Sequence, residues 1–193
     1  MVLGDKQRHF GSLIYVKGPP PKFAIHLNRQ VANGQGREQD HWYIFDGRYL
    51  VERINDRKQF IRRELMSADQ AKGQNPLAIG DSPFVVPLPL RRKHLMDQFA
   101  VQIEDPKDTD PPNSIHFQLQ PKPQRNLKIK RIDLWHDRTS LLPIKARTLD
   151  ESQYESVVWL EQPVLNEPAR EAVIDTSPPK EPGWQIEVIP LKP

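Results

Sequence analysis

The chain has 193 residues, with 28 Lys or Arg against 25 Asp or Glu and a formal net charge of +3. That length falls within the range of one domain, and charges of both signs mixed along the sequence form a solvated surface, not a nucleic-acid footprint. The lack of cysteine excludes disulfides, thiolate metal sites and a cysteine nucleophile, and 20 prolines against nine glycines argue against long helices.

In chain order, Met1 to Arg8 has no apolar core, so no signal peptide is read there, and nowhere does an apolar run reach the roughly 18 residues of a membrane-spanning helix. Leu13-Ile14-Tyr15-Val16 is β-branched and aromatic and stops at Gly18 and three prolines, which predicts a strand followed by a turn. Phe23, Ile25 and Leu27 alternate on one face of a second strand, ahead of the turn signal Asn33-Gly34. Trp42 to Phe45 and Tyr49 to Val51 flank Asp46-Gly47, the signature of a hairpin joined by a two-residue turn, and Gln59 to Arg63 reads as a further strand.

Residues 68–80 read as a polar connection, and Pro83 to Leu90 as an apolar stretch that its prolines keep irregular. Leu95 and Phe99 lie four apart in Arg91 to Phe99, which predicts a short helix, followed by a strand near Ala100 to Glu104. After the polar cluster Asp105 to Asn113, Ile115 to Leu119 alternates strictly. From Leu127 to Trp135 the apolar phase changes, which predicts a bulge near Arg131. Asp137-Arg138 predicts a turn. Leu142 to Ala146, Ser156 to Leu160 and Trp184 to Val188 complete about nine short strands, the last after the Pro-rich turn Pro178 to Gly183. This pattern predicts a mainly β, α+β, antiparallel architecture without internal repeats, and it disfavours parallel nucleotide-binding folds.

Candidate chemistry is sparse. Gly80-Asp81-Ser82 resembles the nucleophile block of lipid esterases, but Pro83 follows it in an irregular segment, and a polar turn is preferred. His136 and Asp137 are neighbours on a strand, so their side chains point to opposite faces, and a turn-flanking histidine is the better reading. The six histidines show no metal-ligand spacing, and Asp105, Asp108 and Asp110 lack the glycine and distal glutamate of a calcium loop. Neither metal nor cofactor is expected. The basic clusters Arg62-Arg63, Arg91 to Lys93 and Lys128 to Arg131 lack interleaved aromatics for stacking on single strands, although anionic lipid head groups could use them.

Several blocks in order resemble the periplasmic lipoprotein-carrier (LolA-like) family. They are Gly11 to Lys17 ahead of the prolines and Phe23, then Phe45 to Leu50, Ser82-Pro83-Phe84, Asn126-Leu127 leading into Ile129 to Trp135, Leu165-Asn166, and Pro182-Gly183-Trp184. Envelope lipoproteins of planctomycete-type bacteria carry a block similar to Pro83 to Phe99. The resemblance implies a single half-barrel domain over residues 1–193, a curved antiparallel sheet with a short helix as lid. It also implies that the carriers' N-terminal helix and first strand are missing, since ten residues precede Gly11. The arginine latch of the carriers has no counterpart, its place falling on Gly18 or Lys17.

The apolar residues by themselves read as an ordinary core. That they line a cavity is what the resemblance implies: Leu13, Tyr15, Phe23, Ile25, Trp42, Ile44, Leu50, Phe84, Leu88, Leu95, Phe99, Phe117 and Leu119. The same resemblance implies a noncatalytic protein of the periplasm or cell envelope that holds acyl chains of lipids or lipidated proteins, with envelope proteins or the membrane surface as further partners. The alternatives are a protein-interaction or stress-sensing module on the same scaffold and, third, a hydrolase using Ser82 or His136.

Overall fold

The structure is a computed structural model and describes residues 7–18, 20–67, 92–123, 128–166 and 173–191, with the backbone alone for 92–94. It is 57% strand and 5% helical, and its strands form two sheets, neither closed into a barrel. The chain divides into two compact units, one comprising residues 1–76 and 167–193, the other residues 77–166. No helix among the described residues is long and apolar enough to cross a membrane.

The first unit is a meander of β1 (Gln7–Val16), β2 (Lys22–Ala32), β3 (Gln35–Phe45), β4 (Tyr49–Ile54) and β5 (Gln59–Glu64), with β11 (Gln185–Ile189) added at its end. The four meander pairings are antiparallel, but β11 runs parallel to β5. Turn chemistry fixes these hairpins. Asn33 and Gly34 both take positive φ, 51° and 77°, as a two-residue turn matched to strand twist requires. The next turn has four residues between the paired Phe45 and Leu50, not the two expected, because the Asp46 carboxylate accepts from the amides of Arg48 and Tyr49 at 2.8 Å each and holds both at the turn. Gly47 has φ 102°, and a Cβ there would run into the Pro20 ring, so glycine is required twice over.

Register assigns the side chains of this sheet to two faces. One carries Leu13 and Tyr15 of β1, Phe23 and Ile25 of β2, Tyr43 and Phe45 of β3, and Leu50 of β4. The other carries Ala24, Ile44, Val51 and Phe60, buried side by side beneath Val173, Ile174 and Trp184. The segment holding Val173 and Ile174 is tied to the β3–β4 turn by Thr176, whose hydroxyl donates to Asp46 Oδ2 at 2.6 Å. Strands β2 and β3 run further than the apolar alternation predicts, because their outer halves, Arg29 to Glu38, pair through polar residues. Register shifts at Phe10/Gly11 and Leu27/Arg29 separate this polar arm from the apolar part of the sheet.

The second unit begins with α1 (Arg92–Gln98), followed by β6 (Phe99–Ile103), β7 (Ser114–Pro121), β8 (Ile129–Asp137), β9 (Pro143–Asp150) and β10 (Glu155–Trp159), an antiparallel meander in sequence order. Phe99, Leu119, Ile132, Leu134 and Ala146 share one face and form its core with Ile129, and Leu95 of α1 packs on them as its four-residue spacing to Phe99 predicts. The phase change in β8 is a register shift between Ile129 and Arg131, which lets both Ile129 and Ile132 reach that core. Asp137 closes the β8–β9 turn, accepting from the amides of Thr139 and Ser140.

Ile132 is fully buried in this core. Ile132→Ala is expected to destabilise the second unit by about 2–5 kcal/mol, measured by urea unfolding, whereas Ile103→Ala, at a side chain 72% exposed, should change stability by less than about 0.5 kcal/mol.

Candidate functional site

The residues predicted to line a cavity fall into three groups. Leu13, Tyr15, Phe23, Ile25 and Leu50 share one face of the first unit's sheet, with Tyr15 opposite Phe23 and Leu13 opposite Ile25. Phe23 and Leu50 are buried, while Leu13, Tyr15 and Ile25 are half-buried. Trp42 and Ile44 stand on the opposite face of that sheet with the core of Ala24, Val51 and Phe60. Leu95, Phe99, Phe117 and Leu119 lie together in the second unit's core. Phe84 and Leu88 lie outside the described residues, as does Ser82.

His136 and Asp137 do not pair. The His136 ring donates from Nδ1 to the carbonyl of Leu141 at 3.0 Å, and Asp137 holds the turn. Asp110, one of the three spaced aspartates, accepts from the Trp135 indole at 2.8 Å, fastening its loop to the sheet. Among the described residues no group of three or more His, Asp or Glu could hold a metal ion.

Register brings together three carboxylate hubs that composition and motif do not reveal. In the first unit Asp40 accepts from His26 Nε2 at 3.0 Å, Trp42 Nε1 at 2.7 Å and Asn55 Nδ2 at 2.6 Å, while His26 stacks on Trp42 at 4.0 Å. Burial pushes the Asp40 carboxyl up, but the donors from Asn55, Trp42 and His26 outweigh it and hold the group below its ordinary value. On the other face Glu52 accepts from His41 at 3.2 Å and from the Tyr43 hydroxyl at 3.1 Å. The His41 bond, against opposing burial, keeps Glu52 below the usual carboxylate range, while burial and then the Glu52 charge push Tyr43 far above the ordinary phenol value.

The third hub is Asp133, 2% exposed. It accepts from His116 Nε2 at 3.1 Å, from Arg131 Nε at 3.0 Å, and from Arg147 through both Nε at 3.1 Å and Nη2 at 2.9 Å. Beside it a row of stacked groups crosses four strands. His116 stacks on Trp135 at 4.3 Å, and the Lys145 ammonium lies 4.4 Å from the ring centroids of both Trp135 and Trp159. Burial and the neighbouring Arg147 charge lower the Lys145 pKa. Carboxylates surrounded by donors in this way anchor adjacent strands to one another. The sequence signal for them was the polar residue at every second position, Asp40 and Trp42 or Arg131, Asp133 and Trp135, which becomes informative only once the strands are in register.

No protein-family model matches the chain, and no curated protein matches it.

Two outcomes test the hubs. Asp133→Ala leaves Arg131, Arg147 and His116 facing a buried gap and should destabilise the second unit by about 3–5 kcal/mol, read by urea unfolding. For the first unit, carboxylates whose pKa is depressed by folding contribute stability that is present above their unfolded value, about 4, and lost as pH falls through the folded one. The melting temperature should therefore drop on acidification below pH 4, and Asp40→Asn should lower it at pH 7 while narrowing the gap to wild type at acid pH.

Proposed function

We propose that this chain is a noncatalytic binding protein of the cell envelope, holding acyl chains of lipids or of lipidated proteins against an apolar face of the first unit's sheet. The observation that carries this reading is the row of half-buried Leu13, Tyr15 and Ile25 beside buried Phe23 and Leu50, all on one face of an open sheet. A hydrocarbon chain needs no hydrogen-bonding partner, only a dry wall of such side chains. Each methylene removed from water contributes about 0.8 kcal/mol, so roughly ten would supply about 8 kcal/mol against the several kcal/mol lost on association.

A second reading, a protein-interaction or stress-sensing module of the envelope, is favoured by the closely filled core of the second unit, where Phe99, Leu119 and Ile132 are each 1% exposed or less. A filled face has no room for cargo and leaves its opposite side to partners.

Titration with a fluorescent fatty-acid probe separates these readings. Saturable uptake, weakened about tenfold or more by Leu13→Lys and little changed by Ile186→Lys, at an exposed side chain on the opposite face, is expected for the carrier. Absence of uptake, together with native mass spectra of purified protein free of lipid, would remove the carrier reading and leave the interaction module.

A further inference from the structure

The sheet of the second unit ends at β10, whose side chains Glu155, Val157 and Trp159 share the face that carries the Asp133 hub. All three are exposed, Val157 by 41% and Trp159 by 55%, and Glu161 follows two residues on, also exposed. Sheets ordinarily protect such an edge with lysine, proline or a bulge. Strand β10 contains neither residue and pairs with β9 through five successive partners without a shift in register. Among the described residues no strand pairs with its outer edge.

Backbone orientation completes the picture. The Leu160 amide donates to the Ile144 carbonyl at 2.9 Å. By alternation along an antiparallel strand, the amides and carbonyls of Glu155, Val157 and Trp159 then point away from β9. Side chains and hydrogen-bonding groups of the same three residues are thus both presented outward.

We propose that the outer edge of β10 accepts an extended cationic segment of a partner protein as an added antiparallel strand, with Arg or Lys opposite Trp159, an aliphatic residue opposite Val157, and Lys or Arg opposite Glu155 and Glu161. Charge complementarity selects this occupant: the exposed edge reads acid, aliphatic, indole, acid. The sheet already shows the same pairing one strand inward, where Lys145 of β9 stands over the Trp159 ring. A guanidinium on the outer side would extend the row His116, Trp135, Lys145, Trp159 by one member, using the planar stacking that arginine makes on indole. A second copy of β10 fits less well, because antiparallel self-pairing about Val157 sets Glu155 against the electron-rich face of Trp159 at both ends. Main-chain bonds would supply affinity and the alternate side chains specificity. This inference stands independently of the acyl-chain reading.

The test uses the full chain and a fluorescein-labelled peptide, Lys-Thr-Arg-Thr-Val-Thr-Lys, followed by fluorescence anisotropy without lipid. Saturable binding is expected, weakened about fivefold by Trp159→Ala and abolished by Val157→Pro, which removes an outward amide and leaves the β9 ladder intact. Circular dichroism melts of both variants verify folding. A peptide with Glu in place of Lys and Arg should not bind. Equal binding of that peptide, binding unaffected by Val157→Pro, or no binding at about 1 mM would overturn the proposal. So would a concentration-dependent dimer in sedimentation that Val157→Pro dissolves, since the occupant would then be a second copy.

Discussion

A strand shows its side chains alternately to two sides, and an open sheet must find cover for whichever side is apolar. The two units meet this constraint differently. The second sorts its residues cleanly, aliphatic and aromatic side chains on the face beneath Leu95 and a charged, stacked row on the reverse. The first has buried side chains on both faces, Phe23 and Phe45 on one, Val51 and Phe60 on the other. The latter face is covered by Trp184, Val173 and Ile174, far along the sequence from the strands they protect.

Apolar burial drives each unit to fold, and the carboxylate hubs fix which residue faces which. Sliding β8 by one position would move Asp133 from His116 and Arg147 to the apolar side and leave both without an acceptor. Asp40 has the same role in the first unit, tying the β2 histidine, the β3 indole and Asn55 beyond β4 to one carboxylate. Polar groups of this kind add less to stability than the aliphatic core does, but they penalise alternative pairings.

What could be read from the sequence follows from the same physics. Strands β7 and β8, the Asn33-Gly34 turn, the place of the Asp46-Gly47 turn, the short helix and the bulge near Arg131 were all legible, because local alternation and turn chemistry specify them. The outer halves of β2 and β3 were not, since in Arg29 to Glu38 only the adjacent Val31 and Ala32 are apolar and make no alternating period. The separation of Trp42 and Ile44 from Phe23 and Ile25 was also hidden. Each strand alternates correctly by itself, and only the pairing of Ala24 with Ile44 shows which halves share a face. The parallel placement of β11 has no local signal at all, as nothing in Gln185 to Ile189 distinguishes a parallel partner from an antiparallel one.

That last strand bears on how the molecule is made. Its partner β5 ends at Glu64, and the whole of residues 77–166 emerges from the ribosome between the two. The second unit is continuous in sequence and its ladders join near neighbours, so it can mature as it is synthesised. The first unit cannot. Its strands β1 to β5 wait with the β5 border unfilled, and with Ala24, Ile44, Val51 and Phe60 lacking Val173, Ile174 and Trp184, until residues 173–189 have been made. The nascent chain therefore passes through a stage in which strands β1 to β5 are more vulnerable to proteases and to association with other chains than the second unit, although they precede it in the chain.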